Sequence, residues 1–265
     1  MNILKNPGLP QPPAGHAVLH PSCVPRLPAS GIAAQPHHEN SAGSRASCTL
    51  PPPRREPALS HDAFVTLRLG ETHHIISENY AYKTDAYYTI LQHELEGQAV
   101  KPASSDVLDI SVVPLCLERA HLQGIPVCDW GISQGYVPVP SILYGINYFA
   151  STAAYCVVRD NNQAKEAVRH LTNCGKYPFC YQKLPPGATI NSCAAVFGRT
   201  SKAPAAVEEI ARQVYDLFAI PLVTMVLVDD GETVRLSSLS PARFSRLSLG
   251  ERSLLAAYLN HQVFL

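Results

Sequence analysis

The densest collection of side chains able to do chemistry lies in nine consecutive residues, 77–85, reading SENYAYKTD. Ser77, Glu78, Asn79, Tyr80, Tyr82, Lys83 and Asp85 together offer a hydroxyl, an amide, two phenols, an ammonium and two carboxylates. Placed at the start of a helix, beside its free backbone amides, such a set suits a polar small molecule, an amino acid or the end of a peptide. Glu78, Lys83 and Asp85 would supply acid–base groups if they shared one cleft. The same residues also serve a plainer purpose, capping the helix and hydrogen-bonding the loop. These seven are therefore ligand-binding candidates, and no catalytic residue is assigned among them.

Elsewhere the signals are thinner. His170, Cys174, Cys180 and Cys193 would have to assemble any zinc set, yet no Cys-x-x-Cys knuckle is present and the spacing fits no common finger. The adjacent pairs His73-His74 and His37-His38 would point to opposite faces of a strand, a poor chelate. Cys128 beside Asp129, and Cys174 near His170, are the only neighbours suggestive of an activated thiol, and nothing reliably electropositive stands beside either. Buried structural cysteine is the better reading for most of the eight, in a chain too long to depend on disulfides. No Gly-x-Gly-x-x-Gly loop or Walker lysine occurs, and Pro185-Pro186-Gly187 reads as a turn. Neither a metal nor a cofactor is expected.

The elements that must position the 77–85 segment follow from composition and periodicity. Twelve of the 23 prolines fall before residue 60, and no aromatic residue precedes Phe64. Such a segment cannot bury enough surface to offset its ordering entropy, so residues 1–62 read as a disordered, proline-rich leader and 63–265 as one α/β domain. The 21 basic residues balance the 21 acidic ones, leaving no global field to gather nucleic acid or a membrane surface. With no secretory signal pattern and no apolar run of spanning length, the expected location is cytoplasmic.

A strand around residues 74–76 leads into the candidate loop, and Tyr87, Ile90, Leu91 and Leu95 then recur at helical spacing. Thr84 or Asp85 caps that helix and Gly97 ends it left-handed. A strand at 99–101, a helix capped by Ser111 with Pro114 in its first turn, and a strand at 125–128 complete a βαβαβ start. Short connections favour parallel pairing with right-handed crossovers. Further on come strands near 153–158, 179–183 and 193–197, a helix capped by Asp160 and a helix opened by Pro204. The clearest hairpin joins 222–228 to 233–239 through Asp229-Asp230-Gly231, and Ser248 with Glu251 forms a capping box for a last helix. The fold class is α/β: a mixed, partly parallel sheet with flanking helices and a C-terminal β-hairpin plus helix.

Two stretches resemble a known family. Residues 76–97, reading ISENYAYKTDAYYTILQHELEG, followed by Val100, Lys101 and Pro102, are similar to the opening of the RimK-like ATP-grasp N-terminal domain. A second stretch runs from Val196, Phe197, Gly198 and Arg199 through residues 210–222, reading IARQVYDLFAIPL, into the hairpin and Leu239, Ser240 and Pro241. The middle, 131–184, matches poorly. The resemblance implies a domain usually placed ahead of a carboxylate–amine ligase module, with Tyr80, Tyr82, Tyr87 and Tyr88 as the family-like positions. It transfers no established catalytic residue.

After Pro241 only one helix remains, too little for the nucleotide-binding and metal-carboxylate parts of a ligase. The hairpin end, SSLSP at 237–241, also lacks the Glu-x-Asn that such ligases present to metal. The expectation is a non-catalytic accessory or substrate-binding domain, without the ATP-grasp module, working with an ATP-grasp ligase on a separate chain. The alternative is a small stand-alone enzyme with an acid–base site in the 77–85 loop.

Overall fold

The candidate loop springs from a short hairpin. The computed structural model describes residues 64–147 and 150–260, and the proline-rich leader lies outside them. β1 (Phe64–Leu69) pairs antiparallel with β2 (Thr72–Ser77), and Ile75 and Ile76 of β2 are fully buried. After the loop, Thr84 caps α1 (Asp85–Leu95), its hydroxyl accepting from the Tyr87 amide at 3.3 Å. Gly97 follows with φ +70°, the left-handed turn that glycine adopts without a Cβ penalty. β3 (Ala99–Lys101) then returns parallel to β2, the crossover read from the pattern.

The next segment departs from that reading. A helix absent from the periodicity analysis, α2 (Ser104–Ile110), comes first, and Ser111 closes it, donating its hydroxyl to Leu108 O at 2.6 Å. α3 (Val113–Leu122) starts after Val112, with Pro114 in its first turn as expected. Arg119 of α3 ties the pair together through Asp106 at 2.8 Å and Asp109 at 2.7 Å. Residues 125–128 make only an isolated parallel bridge, Val127 to Leu236. Pro126 has no N–H to give a ladder, although its carbonyl accepts from Leu236 N at 2.7 Å.

Two antiparallel sheets make up the rest. β4 (Trp130–Ser133), β5 (Ser141–Gly145), β6 (Cys156–Val158) and, after α4 (Asn161–Leu171), β7 (Phe179–Lys183) form one in the order β4-β7-β5-β6. β8 (Thr189–Val196), β9 (Arg199–Thr200) and, after α5 (Ala205–Phe218), the hairpin of β10 (Leu222–Asp229) and β11 (Val234–Pro241) form the other, ordered β11-β10-β8-β9. α6 (Leu249–Asn260) follows a single 3₁₀ turn at Phe244–Arg246 and its capping box: Glu251 accepts from Ser248 N at 2.7 Å, and Ser248 Oγ accepts from Glu251 N.

The main core forms where the apolar stripe of α5 (Ile210, Ala211, Val214, Phe218) meets Ile75, Tyr87 and Ile90 on one side and Met225 and Leu239 on the other. The fold of the described residues is thus mixed α/β, with six helices and three sheets, one of them partly parallel.

Candidate functional site

The first half of the 77–85 loop is a closed hydrogen-bonded turn. Ser77, buried at the end of β2, donates its hydroxyl to Asn79 O at 2.8 Å and accepts from Asn79 N at 3.1 Å. The Tyr80 hydroxyl accepts from Ser77 N at 3.0 Å and donates to Ile75 O at 2.7 Å. Tyr80 is fully enclosed, and burial drives its phenol well above the ordinary tyrosine range, so it remains protonated. Asn79 accepts from Ala81 N at 2.9 Å, and one oxygen of Glu78 accepts from Phe244 N.

The second half faces outward. Tyr82 is exposed and meets Tyr87 edge-on, with centroids 5.7 Å apart. Lys83 takes φ +75° and holds its ammonium 5.6 Å from the Tyr82 ring centroid. Asp85 is exposed in the first turn of α1. Glu78, Lys83 and Asp85 therefore do not converge; only Glu78 reaches the cleft described next.

That cleft has two adjoining chambers. The polar one, about 580 Å³, is lined by Glu78, Asn79, Ser151, Thr152, Ser240 and Arg243. The smaller one, about 260 Å³, shares Asn79, Ser151, Thr152 and Pro241 and adds the apolar walls of Tyr80, Val107 and Ile110. Ser238 Oγ donates to Thr152 O at 2.9 Å, pinning the wall at 151–153 to the end of β11. Arg243 is exposed and enters no ion pair among the described residues. Sequence reasoning missed Ser151, Thr152 and Arg243. The first two sit in an aperiodic run of small residues, and Arg243 stands two positions past the strand end, where no local pattern singles it out.

The other constellations stay apart. Burial pushes the Cys116 and Cys180 thiols up to about 12 and those of Cys128 and Cys193 up to about 11. Cys128 beside Asp129 is thus the reverse of an activated nucleophile. Cys180 is buried whereas Cys174 is exposed on a turn, and no three His, Cys, Asp or Glu side chains among the described residues are grouped to hold a metal ion. Among the same residues, no helix is long and apolar enough to cross a membrane.

A mixed α/β frame with a two-chambered polar cleft is the class that fold and site define. No family model and no curated protein matches the chain. Among solved structures, the D-alanine–D-alanine ligase of Helicobacter pylori is similar at TM-score 0.49 and 14% identity, covering 65% of each chain. A RimK domain ATP-grasp protein from Sphaerobacter thermophilus is similar at TM-score 0.48 and 13% identity, over 65% of this chain and 77% of that one. The ATP-grasp ligase PsnB complexed with minimal precursor gives TM-score 0.47 and 15% identity, over 67% and 68%. This chain therefore spans about two thirds of the first ligase's length.

These likenesses correct three expectations. The resemblance is not confined to the domain ahead of a ligase module, because it reaches across 65–77% of those ligase chains. The accessory reading, and the expectation that the chain is no enzyme for want of that module, fall with it. The physical reason is visible in the fold: the two matched stretches lie on different sheets, the first on β2 and β3 and the second on β8, β9, β10 and β11.

Among the described residues, the end of β11 is not part of any group of His, Cys, Asp or Glu side chains that could hold a metal ion. The β11 end presents Ser237, Ser238 and Ser240 rather than carboxylates, and Gln182 and Tyr144 fill the space beside it, reaching Ser237 O at 2.8 Å and Ser237 Oγ at 2.8 Å.

Proposed function

We propose that the chain is an enzyme acting on an amino acid or a peptide end in the cleft between residues 78–79, 151–153 and 240–243. One observation carries this reading: a carboxylate, a guanidinium and several hydroxyls from three distant parts of the chain line one chamber. Arg243 anchors a substrate carboxylate through paired charge-assisted hydrogen bonds. Glu78 faces the ammonium. Its second oxygen takes the ammonium's proton and leaves a nucleophilic amine, the step that amine acylations share. The smaller chamber, walled by Val107 and Ile110, receives the side chain.

The test is thermal unfolding and calorimetry of the full chain with dipeptides, compared with their N-acetylated and C-amidated forms. Free dipeptides are expected to raise Tm, and amidation to remove the shift. Glu78→Gln keeps an acceptor for Phe244 N but loses the charge. It is expected to weaken binding of the free amine at least tenfold and to abolish turnover, while Arg243→Ala removes the dependence on the carboxylate. Indifference of Tm to every dipeptide would sink the proposal.

A further inference from the structure

A second groove, sharing no residue with the cleft, runs between α4 and the loop joining β4 to β5. We infer that it binds a small phosphate ester carrying a planar ring. Its volume, about 640 Å³, falls in the range of small-molecule sites. One wall is a single stripe of α4, in which Ala164 and Val168 make an apolar floor and Lys165 and Arg169 stand on the rim. Across from them stands Tyr136, which is 71% exposed.

The charge in this groove is unbalanced. No aspartate or glutamate lines it, and neither Lys165 nor Arg169 enters an ion pair among the described residues. Two cations one helical turn apart repel each other, and an anion between them relieves that repulsion. In a chain with as many acidic as basic residues, this local excess is a property of the groove rather than of the composition. Hydrogen bonds engage part of the negative end of α4. Arg169 O accepts from Cys174 N at 2.9 Å, and Thr172 O accepts from Lys176 N at 2.8 Å, so those terminal carbonyls are occupied.

Both rims are held in place. Gly135 N and Tyr136 N donate to Ser133 Oγ at 3.2 and 3.0 Å, fixing the loop that carries the tyrosine. At the far end the Thr172 hydroxyl accepts from Gly175 N at 2.7 Å and donates to Val168 O at 2.7 Å. Lys165 and Arg169 stand four residues apart on one face of α4, a spacing that puts Cβ atoms about 6 Å apart and lets two flexible cationic side chains reach one dianionic phosphate. The groove is far larger than a phosphate, and its apolar floor and phenol ring suit a flat body attached to that phosphate.

Cys174 supplies the readout. It lines the groove and is exposed, whereas Cys116, Cys128, Cys156, Cys180 and Cys193 are buried or half-buried. The rate of Cys174 alkylation by iodoacetamide in the full chain, followed by peptide mass, is measured with adenosine monophosphate, adenosine or inorganic phosphate present. The monophosphate is expected to slow the reaction at least tenfold at saturation, and adenosine or phosphate alone to do much less. Lys165→Gln with Arg169→Gln should abolish protection, each protein being compared with its own unliganded rate, and an unchanged far-UV circular dichroism spectrum reports an intact fold. Tyr136→Ala should reduce the monophosphate effect to that of phosphate. An unchanged rate with the monophosphate, equal protection by phosphate alone, or full protection in the double variant would each overturn the inference. None of these readings depends on the cleft at Glu78.

Discussion

Tyr80 and Tyr82 stand two residues apart in one loop, yet Tyr80 is 2% exposed and Tyr82 is 53% exposed. Their environments divide the loop into a half that is built into the fold and a half laid on its surface. Tyr80 joins the main core and closes the turn by bridging Ser77 N and Ile75 O. Tyr82 leans on Tyr87 and carries Lys83 over its ring. A phenol is equally able to pack or to recognise a ligand, and what separates the two roles here is whether the hydroxyl is already committed to backbone. On that criterion Tyr80 shapes the cleft, while Glu78, with one oxygen uncommitted among the described contacts, is the inner residue suited to chemistry.

Mutation of the two halves should separate them sharply. Tyr80→Ala is expected to destabilise the chain by about 3–5 kcal/mol in urea unfolding, the usual cost of emptying a buried aromatic site. Tyr80→Phe keeps the ring and should still cost about 1–3 kcal/mol, because it strands the buried Ser77 amide. A neutral Tyr80→Phe would mean that packing alone distinguishes the halves. Next in size, Thr84→Ala removes the cap of α1 and is expected to cost about 1 kcal/mol in the same measurement. Tyr82→Ala should lie within about 0.5 kcal/mol of the parent, and a cost matching that of Tyr80→Phe would erase the distinction.

The features legible from sequence are those whose partners are near in the chain. Asp160 and the Ser248–Glu251 pair cap their helices as read, and of the two candidates for α1, Thr84 and Asp85, Thr84 is the cap, because a cap needs only the next three residues. The Asp229-Asp230-Gly231 turn joins β10 to β11 for the same reason: Asp230 accepts from Thr233 N at 2.8 Å and holds Arg235 at 2.5 Å. Arg235 and those backbone amides draw the Asp230 carboxyl down to about 2.

What escaped is equally specific. β5, SILYG, is buried along most of its length and shows no alternation, since β7 and β6 flank it in the sheet and the core covers it. α2 is only seven residues long, too short for a 3.6-residue period to declare itself.

The cleft shows the same limit more strongly. Residues 77–85 stand out by composition alone, and the sequence determined their hydroxyls, charges and helix cap without help. Which of them meet a ligand-sized space was decided by residues 151–153 and 240–243, brought to Glu78 by the packing of separate sheets. Local order depends on interactions within a few residues, which a sequence states directly. A site depends on closing long loops against their entropy, and only the assembled core supplies the contacts that offset that cost.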